Sequence, residues 1–200
     1  LLTVNSVLEK NLFTVFGGDH SCAIGTWSGV SHAKHAEGPI GLIWVDAHLD
    51  SHTMETSDTG NIHGMPLACL LGYGDPLLTN ILRAQPKLQP ENICLIGIRS
   101  YEEGELALLK KLNVRIFFMD EVRERGLDSV MREAIEIVNL NTCCYGITVD
   151  VDSIDPIDAP ETGVAEANGI SGQAICEALT LLAEDPRFVG AELVEFDPIR

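Results

Sequence analysis

The sequence predicts an α/β fold in three layers, with helices on both faces of a mostly parallel central sheet. Three observations carry that prediction. Strand-like and helix-like segments alternate along the chain, as βαβ crossovers require, and such crossovers are right-handed. The strand-like segments, of which Ile40-Gly41-Leu42-Ile43-Trp44-Val45 is the clearest, are continuously apolar, the signature of strands buried on both faces. Several of them end abruptly in acidic or imidazole side chains, and ligands of open α/β sheets gather at the carboxyl ends of strands.

Taken in order, Leu1 to Lys10 has helical spacing, and residues 11–16 read as a short buried strand running into Gly17-Gly18-Asp19-His20-Ser21. The paired glycines permit a tight turn, and Ser21 is placed to cap the helix expected over 22–36. Glu37-Gly38-Pro39 turns the chain into a strand at 40–46, after which Ser51 to Asn61 is a polar, helix-poor loop of the kind that carries substrate contacts. An apolar helix is expected at about 66–72, then a turn with a short helix between 72 and 90. Further strands are expected at 92–98, 114–119, 144–149 and 189–196, with helices at 103–112, 121–138 and 171–184.

Two hundred residues, 46% hydrophobic and 22% charged, suffice for one domain with a sizeable core. The formal net charge of -17 argues against nucleic acid or an anionic membrane as partner. The six cysteines show no C-x-x-C spacing and lie mostly in apolar surroundings, so buried, reduced thiols in an intracellular protein are expected. No apolar run approaches a membrane span and nothing resembles a signal peptide. The chain begins at Leu1 within a helical pattern and stops at Arg200 just after a strand, which reads as a portion of a longer protein.

The change from apolar to charged is sharpest at Trp44-Val45-Asp46-Ala47-His48-Leu49-Asp50. In an extended chain this spacing turns Asp46, His48 and Asp50 to one side. Buried Asp is rare unless paired or bound to metal. His20 follows an earlier strand, Asp150 and Asp152 follow a later one, and Glu195 lies near the end of the last. A parallel sheet delivers these ends to one edge. Two His and four Asp exceed what one divalent ion needs, and uncompensated carboxylates at close range repel. Two divalent cations sharing carboxylates, about 3.5–4 Å apart, resolve that repulsion. Carboxylate and imidazole without thiolate suit Mn²⁺, with Mg²⁺, Fe²⁺, Co²⁺ or Zn²⁺ as substitutes.

Gly17-Gly18-Asp19-His20-Ser21, Asp46-Ala47-His48-Leu49-Asp50 and Thr148-Val149-Asp150-Val151-Asp152-Ser153-Ile154-Asp155-Pro156 resemble, in order and spacing, the three signatures of the ureohydrolase family (arginase, agmatinase, formimidoylglutamase). The resemblance runs from Phe16 to Pro198 and is closest to the arginase branch, through Gly60-Asn61-Ile62-His63-Gly64-Met65-Pro66-Leu67-Ala68, Gly97-Ile98-Arg99 with Glu102 and Gly104-Glu105, and Pro160-Glu161-Thr162-Gly163. It implies that residues 1–200 form a single arginase-like catalytic domain, lacking the family's N-terminal portion and last helix. It also implies a cytoplasmic homo-oligomer, trimer or hexamer. The implied chemistry is attack of a metal-bridging hydroxide on the guanidinium carbon of L-arginine, yielding urea and L-ornithine.

By the same resemblance, one Mn²⁺ takes His20, Asp46, Asp50 and Asp150, and a second takes Asp46, His48, Asp150 and Asp152. Catalytic roles fall to His63, Glu195 and Asp50: His63 shuttles protons, Glu195 pairs with the guanidinium, and Asp50 is counted also as a metal ligand. Thr162 orients the nucleophile. The amino-acid end of the substrate falls to His52, Thr59, Asn61 and Glu102. Here the sequence departs from the arginase pattern, which usually has Asn, Ser and Asp where His52, Thr59 and Glu102 stand. Agmatine or another guanidino compound is therefore the alternative substrate. A non-catalytic paralogue is opposed by the filled ligand positions, a single-zinc deacetylase by the number of ligands, and an anionic-polymer binder by the charge.

Overall fold

The computed structural model describes residues 2–198. Its strands are β1 (Phe13–Phe16), β2 (Ile40–Val45), β3 (Ile93–Ile98), β4 (Arg115–Phe118), β5 (Cys144–Asp150) and β6 (Phe188–Val194). All pair in parallel in the order β1-β6-β5-β2-β3-β4, so the expected α/β sheet is present. The helices are α1 (Leu2–Leu8), α2 (Cys22–Ala33), α3 (Pro66–Leu70), α4 (Pro76–Thr79), α5 (Glu103–Lys111), α6 (Met119–Arg125), α7 (Leu127–Asn139) and α8 (Gly172–Thr180).

The apolar strands divide their side chains between two cores. From β2, Ile40, Leu42 and Trp44 join the core under α2, α3 and α5, which also holds Trp27, Leu67 and Leu109. Ile43 and Val45 face the opposite core with Val130, Met131 and Ala134 of α7. Continuous apolarity along a strand thus means two buried faces, each with period two. Gly146 on β5 marks a tight packing point: a Cβ there would meet the Trp27 ring at 2.2 Å. The absent side chain leaves room for the indole to approach the strand.

The chain moves from β2 through β3 to β4 on one side and from β5 to β6 on the other. The crevice between β2 and β5 is therefore a topological switch point, where ligands of doubly wound sheets sit. Their register, Ile40↔Cys144 through Val45↔Val149, makes the two strands end level. Asp46, the residue after β2, and Asp150, the last residue of β5, therefore meet at that crevice.

The helices expected over 22–36 and 171–184 end earlier, at Ala33 and Thr180, and three further local expectations change. The single helix expected over 121–138 is broken at Gly126, which has φ +80, a conformation glycine adopts without steric penalty. The last strand stops at Val194, not 196, because Glu195 takes φ +58. Ser21 precedes α2 without a side-chain cap; Asp19 Oδ1 instead accepts from Ser21 N at 2.9 Å. The Leu1 end of the first expected helix lies outside the described residues. Cys69, Cys94 and Cys144 are buried free thiols, but Cys176 is exposed. Among the described residues no helix is long and apolar enough to cross a membrane.

Candidate metal centre and substrate cavity

Asp46, His48 and Asp50 do not converge by remaining extended. The strand ends at Val45, and Asp46 Oδ1 accepts from His48 N at 2.7 Å. One crevice wall away, Asp150 Oδ1 accepts from Asp152 N at 2.9 Å. Both are Asx-type turns, in which a carboxylate bonds an amide two residues on. They fold residues i and i+2 around the same point, and Ala47 N donates to Asp152 Oδ1 at 3.2 Å across the crevice. Asp50 completes the bend with φ +47.

The result is two groups with a common member. His20, Asp46 and Asp150 form one and Asp46, His48 and Asp152 the other, each with ligand atoms within 4.8 Å of one another. Around His20 Nδ1 lie Asp46 Oδ2 at 3.2 Å, Asp50 Oδ2 at 3.0 Å and Asp150 Oδ2 at 3.0 Å. Around His48 Nδ1 lie Asp46 Oδ1 at 3.5 Å and Asp152 Oδ2 at 3.0 Å. Each oxygen of Asp46 thus faces a different imidazole. Asp150 belongs to the His20 group alone in this arrangement.

His20 Nδ1 is buried and has no hydrogen-bond partner among the described residues although three carboxylate oxygens surround it. An imidazole nitrogen donates to one acceptor at most, whereas a cation at their common centre would satisfy all of them. The residues fit a divalent ion.

Electrostatics agrees. Burial and neighbouring Asp46 push Asp150 well above the carboxylate range, and the same two causes push Asp50 up to about 7 and raise Asp152. Burial would raise Asp46 too, but the adjacent His20 and His48 imidazoles overcome it and hold that carboxyl below its usual value. Burial opposes charge on both imidazoles, yet the carboxylates outweigh it, taking His20 well above its ordinary value and His48 up to about 12. Carboxylates this buried and this crowded call for positive charge among them.

Above this floor lies a cavity of about 220 Å³. Glu195 and His63 line it with Nδ1 and Oε1 3.9 Å apart, and Glu195 Oε1 also accepts from His20 N at 2.8 Å. The outer wall carries His52, Thr59, Asn61 and Glu102. His52 is turned sideways: its Nδ1 meets Thr56 Oγ1 at 3.1 Å, and its Nε2 faces Glu102 at 3.4 Å and Glu105 at 3.5 Å. Thr162 is not among the lining side chains. It is buried, bridges Phe196 and leaves Val164 to form that wall.

Sequence reading missed several neighbours. Glu105 lies inside the capping box of α5, a pattern that advertises helix capping and hides its second contact to His52. Glu166 stands 3.7 Å from His48 Nε2. Arg99 donates to the backbone carbonyls of Gly97, Asp152, Ser153, Glu166 and Ala167, tying the β3 end to the loops around the crevice.

A parallel α/β sheet with paired carboxylate–imidazole groups at its switch point defines the class, a candidate binuclear metalloprotein. The chain matches the arginase family over residues 3–200. It is 44% identical over 197 residues to the arginase of Bacillus caldovelox and 45% identical over 197 residues to that of Brevibacillus brevis, covering 98% of this chain in each case. The solved structure of the Bacillus caldovelox arginase superposes with a TM-score of 0.92 at 41% identity, covering 99% of this chain and 65% of that one. The chain belongs to the arginase family. It spans 65% of the length of these curated relatives.

Proposed function

We propose that this chain carries the catalytic centre of an arginase-type amidinohydrolase that loads two Mn²⁺ and splits L-arginine into urea and L-ornithine. The observation that carries this reading is Asp46, whose two oxygens face two separate His–Asp groups beneath a cavity. His20, Asp46, Asp50 and Asp150 would hold one ion and Asp46, His48, Asp150 and Asp152 the other. Oxygen and imidazole donors without thiolate favour Mn²⁺. When bound, such a pair supplies Lewis acidity that makes water nucleophilic near neutral pH.

The chain's own residues do the rest. Glu195 offers a carboxylate to the cationic guanidinium and holds its carbon over the floor. His63, 38% exposed at its side chain, has access to solvent and moves a proton between bulk water and the leaving amine. Thr59, Asn61, His52 and Glu102 meet the amino-acid end, and Thr162 steadies the Glu195 wall from behind. Family membership supports a cytoplasmic homo-oligomer, trimer or hexamer.

The test is urea release from L-arginine by the full-length protein after incubation with Mn²⁺, with metal content read on the same sample. Urea together with two ions per chain is expected, and a protein that binds no metal sinks the reading. One feature favours a second substrate. His52 presents its Nε2 to Glu102 and Glu105, and the two carboxylates leave the outer wall acidic. Urea from agmatine but not from arginine would select that alternative.

A further inference from the structure

Glu192 lies inside β6, 1% exposed, and among the described residues no cationic side chain hydrogen-bonds it. Four donors converge on it. Oε1 accepts from Thr26 Oγ1 at 2.6 Å and Cys22 Sγ at 3.4 Å; Oε2 accepts from Trp27 Nε1 at 3.1 Å and Thr148 Oγ1 at 3.0 Å. A carboxylate has about four lone-pair directions, and here each is taken. Trp27 reaches this spot because Gly146 leaves space for its ring, so the indole, a donor only, pins the Oε2 side as an acceptor.

The consequence runs outward. Thr148 has one hydroxyl proton and gives it to Glu192. Its oxygen also lies 3.1 Å from His20 Nε2, so at that contact it can only accept. Nε2 must then carry a proton, so in neutral His20 the lone pair is on Nδ1, the nitrogen that faces Asp46, Asp50 and Asp150. Trp44, stacked on the imidazole at 4.3 Å and 18°, holds the plane of the ring.

We infer that Glu192 is a positioning residue for the centre: acting through Thr148, it fixes the His20 imidazole in the one tautomer that can ligate a cation through Nδ1. The inference rests on the metal-centre reading above. It assigns the His20 group, and not the His48 group, to this buried relay.

Partners that fix ligand orientation are commonly worth about 10- to 100-fold in metal affinity. Thr148→Val keeps shape and removes the relay, so it should weaken one of the two Mn²⁺ ions by about that factor in a calorimetric or EPR titration, leaving the other within about threefold. Thr148→Ser should restore it. Glu192→Leu should copy Thr148→Val. Glu192→Gln should stay near wild type, because Trp27 selects the amide oxygen for the Oε2 side and Thr148 still finds an acceptor. Should Glu192→Leu not fold, the two Thr148 variants decide alone. Equal weakening of both ions, or unchanged affinity in Thr148→Val, overturns the inference while the metal reading stands. Wild-type protein that binds no Mn²⁺ overturns both.

Discussion

The floor of the cavity and its outer wall are built differently. Asp46, Asp150 and Asp152 are 0%, 2% and 3% exposed and lie within two residues of a strand end. Their positions follow from the level ends of β2 and β5 and from two matched Asx turns. Thr59 and Asn61 ride on an exposed loop, and the Glu102 side chain is 60% exposed at the start of α5. Backbone pairing sets the floor, whereas the wall takes its shape from side chains meeting one another. Substitution at the floor should therefore act on metal and chemistry, and substitution at the wall on substrate choice.

The largest effect expected is at the floor. Asp150→Asn removes a carboxylate oxygen 3.0 Å from His20 Nδ1 and should abolish urea release while lowering metal affinity at both sites. Near-normal turnover in that variant would show that Asp150 bridges nothing and that Asp46 alone links the two groups.

The next effect is on stability. In chelator-treated protein, Asp50 is raised to about 7, and Asp150 and Asp152 are raised as well. Folded protein then holds protons that the unfolded chain releases near pH 4. Stability from these groups is present below the unfolded pKa and lost as pH rises through the folded one. The melting temperature of stripped protein should fall between pH 4 and pH 7 by about 4 °C or more, roughly 1–2 kcal/mol for a chain of this size. Mn²⁺ should flatten that slope, since cations replace the protons. A stripped protein whose melting temperature rises across this range would show that the carboxylates are not crowded as described.

The smallest effect belongs to the wall. His52→Asn frees Glu102 and Glu105 from the imidazole and offers an amide donor to the cavity. Two Mn²⁺ per chain should remain, and KM for L-arginine should drop by about three- to tenfold with little change in kcat, about 1 kcal/mol of binding. A loss of metal in this variant would erase the distinction between floor and wall.

How much was legible follows the same division. Each flip from apolar strand to acidic or imidazole residue is local, so His20, Asp46, His48, Asp50, Asp150, Asp152 and Glu195 stand out along the chain. The break at Gly126 was less visible, because the charged helical pattern continues on both sides of it. Glu192 could not be singled out: in Phe-Val-Gly-Ala-Glu-Leu-Val it reads as an outward-facing strand acid. Its partners Cys22, Thr26, Trp27 and Thr148 lie 44 to 170 residues away.

Hydrophobic pattern and the residue types at strand ends were enough, by themselves, to determine a parallel α/β sheet with a cation-hungry edge, because both are written in short-range order along the chain. The level approach of β2 and β5, the division of six candidate ligands into two groups sharing Asp46, and the orientation of His20 and His52 were decided only by tertiary structure. Hydrogen bonds and carboxylate repulsion depend on ångström distances between residues far apart in sequence, and those distances exist only once the sheet has closed.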